Sequence, residues 1–382
     1  MRISVITLAS LLLCNFCLTV PSANAQSSPS PPDANCGCVI TSLQGTSSVK
    51  FKGTTGTVPA TVRMFVHLGD LISVGPSSQA ELICDGANGN RILTTGPHGV
   101  PCTTVAGTPI VIGGPDKDHR LLDSTTLGDG SELDVPIVLS PRASRILSIQ
   151  PELRWRCLQG ATEYHLTVRG GSLSWAGVAH STSFLKYPAD APALAPGTPY
   201  KLVVAALGRS SEEEAQPGLG FTVVSLQEQQ EINDALTTIL NLQLEPKSKA
   251  LLRARFLANH DLISEAIQGL EEASHDCDEP TPRSTWSNDA DFLQLLGTLY
   301  ARIGLSSFAE KYLLHSLELS NASGDRRGEA ISSGILGQIY LVLGNKTNAI
   351  NRLNEAKSAY AQIGDKDNVE QMQRELQRLT AH

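Results

Sequence analysis

Leu296-Gly297-Thr298-Leu299-Tyr300-Ala301-Arg302-Ile303-Gly304 returns 40 residues later as Leu336-Gly337-Gln338-Ile339-Tyr340-Leu341-Val342-Leu343-Gly344. The shift carries more than this one run. Ala309 and Ser316 correspond to Ala349 and Ala356, seven apart in both copies, and Ser323-Gly324-Asp325 corresponds to Ile363-Gly364-Asp365. A weaker copy precedes them, with Ala266 and Ala273 again seven apart. Counting back from Ala266, Arg253-Ala254 stand at the Leu-Gly pair, Leu257 at the Tyr and Asp261 at the closing Gly. Helical spacing inside a repeat of this length predicts stacked helix pairs. Small residues at Gly297, Ala309, Gly337, Ala349 and Ala356 let paired helices approach, while Tyr300 and Tyr340 fill the gap to the next helix.

In these features residues 247–363 resemble tetratricopeptide repeats of the long variety. The resemblance implies an α-solenoid of about three helix pairs, whose first helices line a concave surface that holds an extended protein or peptide. It makes Asp291, Gln294, Thr298, Arg302, Ile331, Gly334, Gln338 and Leu341 the candidates for that groove, with Tyr300 and Tyr340 in the core. Residues 226–241 carry Leu226, Ile232, Leu236 and Leu240 among Gln and Glu. The stretch after Asp365 carries Val369, Met372, Leu376 and Leu379 on one stripe. Both read as closing helices with a polar outer face, so the helical region spans 226–382.

The chain before residue 226 has a different texture. From 36 to 115, short β-rich runs alternate with turns: Val49 and Phe51 interleave with Lys50 and Lys52, Leu71-Ile72-Ser73-Val74 stops at Gly75-Pro76, and Glu81-Leu82-Ile83-Cys84 runs into Asp85-Gly86. The stretch from Leu68 to Leu82 resembles the Gly-Asp hairpin of FecR-type sheet domains. Residues 116–130, with Asp116-Lys117-Asp118-His119, read as a linker. In 131–225 the period of two returns at Leu153 and Trp155, at Tyr164, Leu166 and Val168, and at Tyr200, Leu202 and Val204. Leu194-Ala195-Pro196-Gly197-Thr198-Pro199-Tyr200 is similar to a corner of fibronectin type III-like sandwiches. That similarity implies a Tyr hydroxyl bonded to the backbone upstream of it. Strand alternation places Trp155, Tyr164 and Tyr200 inside rather than on a sugar-stacking face. Cys157 shares their parity and reads as a buried thiol. The expected architecture is multidomain, an all-β half followed by an all-α half.

Arg2, the apolar run Ile3 to Val20 and Ala23-Asn24-Ala25 read as a signal peptide over 1–25, followed by a flexible Ser/Pro leader over 26–35. Export to the periplasm, cell envelope or medium is therefore expected. Of eight cysteines, six then remain, and an oxidising compartment permits disulfides. Cys84 and Cys102 flank a turn-rich stretch in one sheet-rich segment and are the expected pair, although Cys36 and Cys38 compete for either partner. Pairings of Cys36, Cys38, Cys157 and Cys277 stay open.

Lys and Arg number 30 against 38 Asp and Glu, for a net charge of −8, and aromatics are 5%. Neither a basic footprint nor a stacking platform for nucleic acid is present. The sequence holds no His-Glu-x-x-His, Gly-x-Ser-x-Gly or phosphate-cradling Gly-rich motif. Glu212-Glu213-Glu214 reads as a solvated run. No metal, cofactor or catalytic group is expected. The expectation is a non-catalytic interaction protein with a protein or peptide partner, self-association being possible. An envelope carbohydrate or peptidoglycan binder, or an enzyme acting on envelope polymers, are the alternatives.

Overall fold

The computed structural model describes residues 37–52, 55–62, 64–67, 69–84, 90–100, 135–214, 220–271 and 288–380. The expected signal peptide, leader and linker, with Cys36, Cys102 and Cys277, lie outside them. Among the described residues strands run to Val223, and eight α-helices follow between Leu226 and Thr380.

The first β region contains β1 (Gly37–Gln44), β2 (Ser47–Lys50), β3 (Val58–Pro59), β4 (Phe65–His67), β5 (Leu71–Val74), β6 (Gln79–Cys84), β7 (Asn90–Leu93) and β8 (Gly96–Gly99). They form two four-stranded sheets, ordered β4-β1-β6-β7 and β3-β2-β5-β8. Val49, Ile72 and Val74 of one sheet share a core with Cys38, Ile40, Ala80 and Leu82 of the other. β5 and β6 were expected to be one hairpin, but they belong to different sheets. Their connection is a corner. Gly75 N–H donates to Thr46 O at 2.8 Å, and Ser78 Oγ accepts Thr46 N–H at 2.9 Å, tying this corner to the β1–β2 corner beside it. Gly45, at φ +80°, leaves room for Ser78, whose Oγ would lie 2.2 Å from any Cβ there. Asp70 is buried and accepts Lys52 N–H at 2.7 Å. Alternation along a strand is the same in a hairpin and a corner, so the pattern did not distinguish them.

The second β region contains β9 (Ile137–Ser140), β10 (Ser144–Ile146), β11 (Glu152–Arg156), β12 (Glu163–Gly170), β13 (Leu173–His180), β14 (Phe184–Lys186), β15 (Pro199–Ala206), β16 (Arg209–Ser210) and β17 (Gly220–Val223). Its sheets are β14-β11-β9 and β10-β17-β15-β12-β13, with β16 on β15. Trp155 and Tyr164 are fully buried and pack with ring centroids 5.4 Å apart. The Tyr200 hydroxyl accepts Ala195 N–H at 2.7 Å, the upstream backbone bond expected of this corner. These three rings fill the core and offer no sugar-stacking surface.

Helices α1 (Leu226–Asn241), α2 (Pro246–Asn259), α3 (Ile263–Leu270), α4 (Ala290–Arg302), α5 (Ser306–Ser323), α6 (Arg326–Val342), α7 (Lys346–Gln362) and α8 (Lys366–Thr380) complete the chain. α2–α3, α4–α5 and α6–α7 are pairs closed by one turn geometry. Leu262, Leu305 and Asn345 N–H donate to Leu257, Tyr300 and Tyr340 O at 2.9, 2.9 and 2.8 Å. The residue before each donor is left-handed: Asp261 at φ +59°, Gly304 at +78° and Gly344 at +71°. Asp261 therefore does the work of the repeat's glycine, which a short polar side chain tolerates. Gly297 and Gly337 permit the close approach within pairs, since a Cβ would lie 2.7 Å from Leu313 Cγ and 2.8 Å from Leu353 Cγ. α8 buries Met372 and Leu376 as expected. α1 buries Ile232, Ala235, Leu236 and Ile239, while Leu226 and Leu240 are exposed. Its apolar stripe is thus rotated from the expected one.

The β regions pack on the helices. Val39, Ile83, Ile137, Leu139 and Val224 belong to the helical core. Arg145 N–H donates to Asp261 O at 2.9 Å and Arg142 Nε to Ile303 O at 2.8 Å, both at turns within helix pairs. The first β region meets turns between pairs instead: Thr55 N–H donates to Gly364 O at 3.2 Å, and the Arg327 guanidinium lies 3.8 Å over the Phe51 ring. The two β regions thus make these backbone and ring contacts at different kinds of turn, and Arg154 of the second also lies 3.9 Å from Glu271 at the end of α3.

Three local expectations are corrected. Cys84 is bonded to Cys38, its direct neighbour in the β1–β6 register, and is not available to Cys102. Cys157 is also in a disulfide and half-buried, not a buried free thiol. Of the three glutamates, Glu212 and Glu213 are exposed beside Lys201 and Arg209, but Glu214 is held by buried Arg142 at 2.8 and 2.9 Å.

Candidate functional site

The residues expected to line a groove are largely engaged within the chain. Asp291 is exposed at the start of α4, and Leu341 is half-buried near the end of α6. Gln294 Nε2 donates to Gly328 O and Ser332 Oγ at 3.2 Å each, a bond between helices. Arg302 Nη2 donates to Ala258 O at 3.1 Å and Asp261 Oδ1 at 3.0 Å. Thr298, Ile331, Gly334 and Gln338 are buried, as is every residue of α6 from Ala330 to Tyr340. These four expected groove residues are thus covered by other residues of the chain. Gly334 shows one reason: a Cβ there would lie 3.8 Å from both Ala356 and Met372, so this position faces neighbouring helices.

Tyr300 and Tyr340 are core residues with polar tips. Tyr300 Oη donates to Glu271 Oε1 at 2.6 Å, joined by Tyr312 Oη at 3.2 Å. Burial raises the pKa of both Tyr300 and Glu271. Tyr340 Oη donates to Glu310 at 2.7 Å, and burial pushes it up to about 12.

Open space is found at the other end of the array. Ser225, Gln227, Glu228, Glu231, Ile232, Ala235, Phe256 and His260 line a cavity of about 300 Å³ between α1 and α2. Ser225 caps α1, its Oγ accepting Glu228 N–H at 3.2 Å. That fixes the first turn and aims Glu228 and Glu231 along one face, three residues apart. Arg145 grips the Glu228 carboxylate with both terminal nitrogens and holds its pKa below the ordinary value. Glu231 is half-buried, with Gln227 Nε2 donating to its Oε1 at 3.0 Å. Ile232 and Ala235 form the floor with Phe256, whose ring lies 4.7 Å from that of His260 one turn on. An apolar floor beside a carboxylate suits an aliphatic stem ending in a cation. No motif marked this site in the sequence. Its only signal was that α1 carries Glu228, Glu231 and Asp234 and no Lys or Arg.

On α3, Glu265 Oε1 accepts Leu147 N–H at 2.7 Å, while Oε2 is buried without a hydrogen-bond partner. Burial raises its pKa to about 7, against a weaker lowering by that bond and by Arg253. The folded state therefore keeps a proton that the unfolded chain releases above its carboxylate value near 4.5. Stability from this group is full below pH 4.5 and is lost as pH rises through 7. The loss amounts to about 3 kcal/mol at most. Glu265→Gln is expected to flatten that slope in urea titrations repeated across this range, and an unchanged slope would refute the assignment.

Among the described residues no group of three His, Cys, Asp or Glu could hold a metal ion, and no helix is long and apolar enough to cross a membrane. The chain matches no known family model and no curated protein.

Proposed function

We propose that this is an exported, non-catalytic scaffold that holds a protein or peptide partner on tetratricopeptide-like repeats, behind FecR-like and fibronectin type III-like β units. The cavity between α1 and α2 carries the reading of what is bound. A Lys or Arg side chain of an extended segment enters it, the stem against Ile232 and Phe256 and the cation at Glu231. The common turn geometry of the three helix pairs supports the repeat assignment. Export rests on the signal-peptide pattern of residues 1–25, and the Cys38–Cys84 disulfide is compatible with it.

The test uses the full chain and a peptide panel varied at one position, read by fluorescence anisotropy. Lys and Arg are expected to bind and Glu to be rejected, with Glu231→Gln weakening the interaction roughly tenfold, as loss of a charge-assisted hydrogen bond does. Affinity indifferent to Glu231, or a preference for acidic peptides, overturns the proposal.

A further inference from the structure

β13 is eight residues long and ends the sheet order β10-β17-β15-β12-β13. Among the described residues it pairs with β12 alone, through eight unbroken register pairs from Glu163–His180 to Gly170–Leu173. Gly170 and Leu173 flank a two-residue turn that opens with Gly171 at φ +57°. Residues flanking such a turn exchange both backbone hydrogen bonds, and the alternation follows from there. Leu173, Trp175, Gly177 and Ala179 thus turn their backbone groups toward β12. Ser174, Ala176, Val178 and His180 turn N–H and C=O outward, and all four are exposed.

Edge strands are ordinarily protected by charge, proline, bulges or shortness. β13 has none of these. No Asp, Glu, Lys, Arg or Pro stands between Arg169 and Lys186, and the register contains no shift. The opposite edge, β10, is the one that packs on α3. β13 lies four strand spacings away, about 19 Å.

We propose that β13 pairs antiparallel with β13 of a second copy of this chain, joining the two sheets about a two-fold axis. Paired about Gly177, the outward residues match, Ser174 meeting His180 of the copy and Ala176 meeting Val178, and two observations favour a copy over other extended partners. The edge strand holds no Asp, Glu, Lys or Arg in a chain of net charge −8, and its His180 lies 3.6 Å from Glu163 of β12, so the copies meet with less repulsion here than they carry elsewhere. Finally, Trp175 folds over Gly177, where a Cβ would lie 2.5 Å from its ring, and pairing covers its half-exposed flank.

Sedimentation equilibrium of the full chain across the micromolar range tests this, with circular dichroism confirming the fold of each variant. The wild type is expected at the mass of two chains. Val178→Lys, which alters only the solvent-facing side of the edge, is expected to weaken association roughly tenfold. Adding Ala176→Glu is expected to restore most of it, because residue 176 faces 178 of the copy. A wild type that stays monomeric, as it does if the edge takes a different extended partner, overturns the proposal. So does a dimer insensitive to Val178→Lys.

Discussion

Arg142→Leu is expected to destabilise the folded protein by about 3–5 kcal/mol, the usual cost of removing one partner from a buried ion pair. Arg142 is 1% exposed and satisfies four acceptors at once. Its two terminal nitrogens hold Glu214 at 2.9 and 2.8 Å, Nη1 also reaches Val138 O at 3.3 Å, and Nε caps Ile303 O at 2.8 Å. Leucine fills the space but leaves a carboxylate that is 11% exposed without its cation, and a helix-end carbonyl without its donor. Equilibrium urea unfolding measures the loss. Because Ile303 is the C-cap of α4, hydrogen exchange should also speed up at the α4–α5 turn, which a purely local effect on the second β region would leave unchanged. In Arg142→Leu/Glu214→Leu the stranded charge is gone, so that variant should recover part of the stability. A single variant that unfolds at the wild-type urea midpoint would contradict the role given to Arg142.

The second large effect concerns the Cys38–Cys84 bond. It closes a loop across a sequence separation of 46 residues, for which chain entropy gives about 4 kcal/mol. Cys38 and Cys84 are essentially buried, at 0% and 1%, so Ala is the suitable replacement, since Ser would bury hydroxyls as well. Cys38→Ala/Cys84→Ala is expected to lower the stability of the first β region by most of that amount. Reducing the wild type is a poorer experiment, because it also opens the disulfide of Cys157. The diagnostic readout is regional: protection falls in β1 and β6, while exchange within α4–α7 changes little. Equal loss everywhere would mean that the bond sustains the whole assembly and not one sheet pair.

Particular residues show how far the sequence reading reached. The 40-residue shift located the α4–α5 and α6–α7 pairs because each unit repeats the same local demands: a small residue where helices touch and a left-handed residue where the chain turns. Asp261 stands where the later copies have Gly304 and Gly344, and it adopts the same left-handed turn. Trp155, Tyr164 and Tyr200 were placed inside by alternation alone, and they are inside. The groove was less legible. Helical spacing says which side of α6 is apolar or small, but it is silent on whether helices, a β region or solvent covers each side. The α1–α2 cavity was illegible for a related reason: Ile232, Phe256 and His260 fit ordinary core positions until two helices leave a gap between them.

The sequence by itself determined the order of β and α regions, the helix pairs at 290–323 and 326–362 with their turns, and the inward residues of most strands. Those features depend on side-chain periodicity and on φ at single positions, both of which are local. Tertiary structure decided that Cys38 lies opposite Cys84, that the chain turns a corner between β5 and β6, and that α6 is enclosed. It also decided that Arg142 reaches a carbonyl 161 residues away. Each of these depends on which elements become neighbours. An apolar face states that it must be covered, and only the assembled fold supplies the cover.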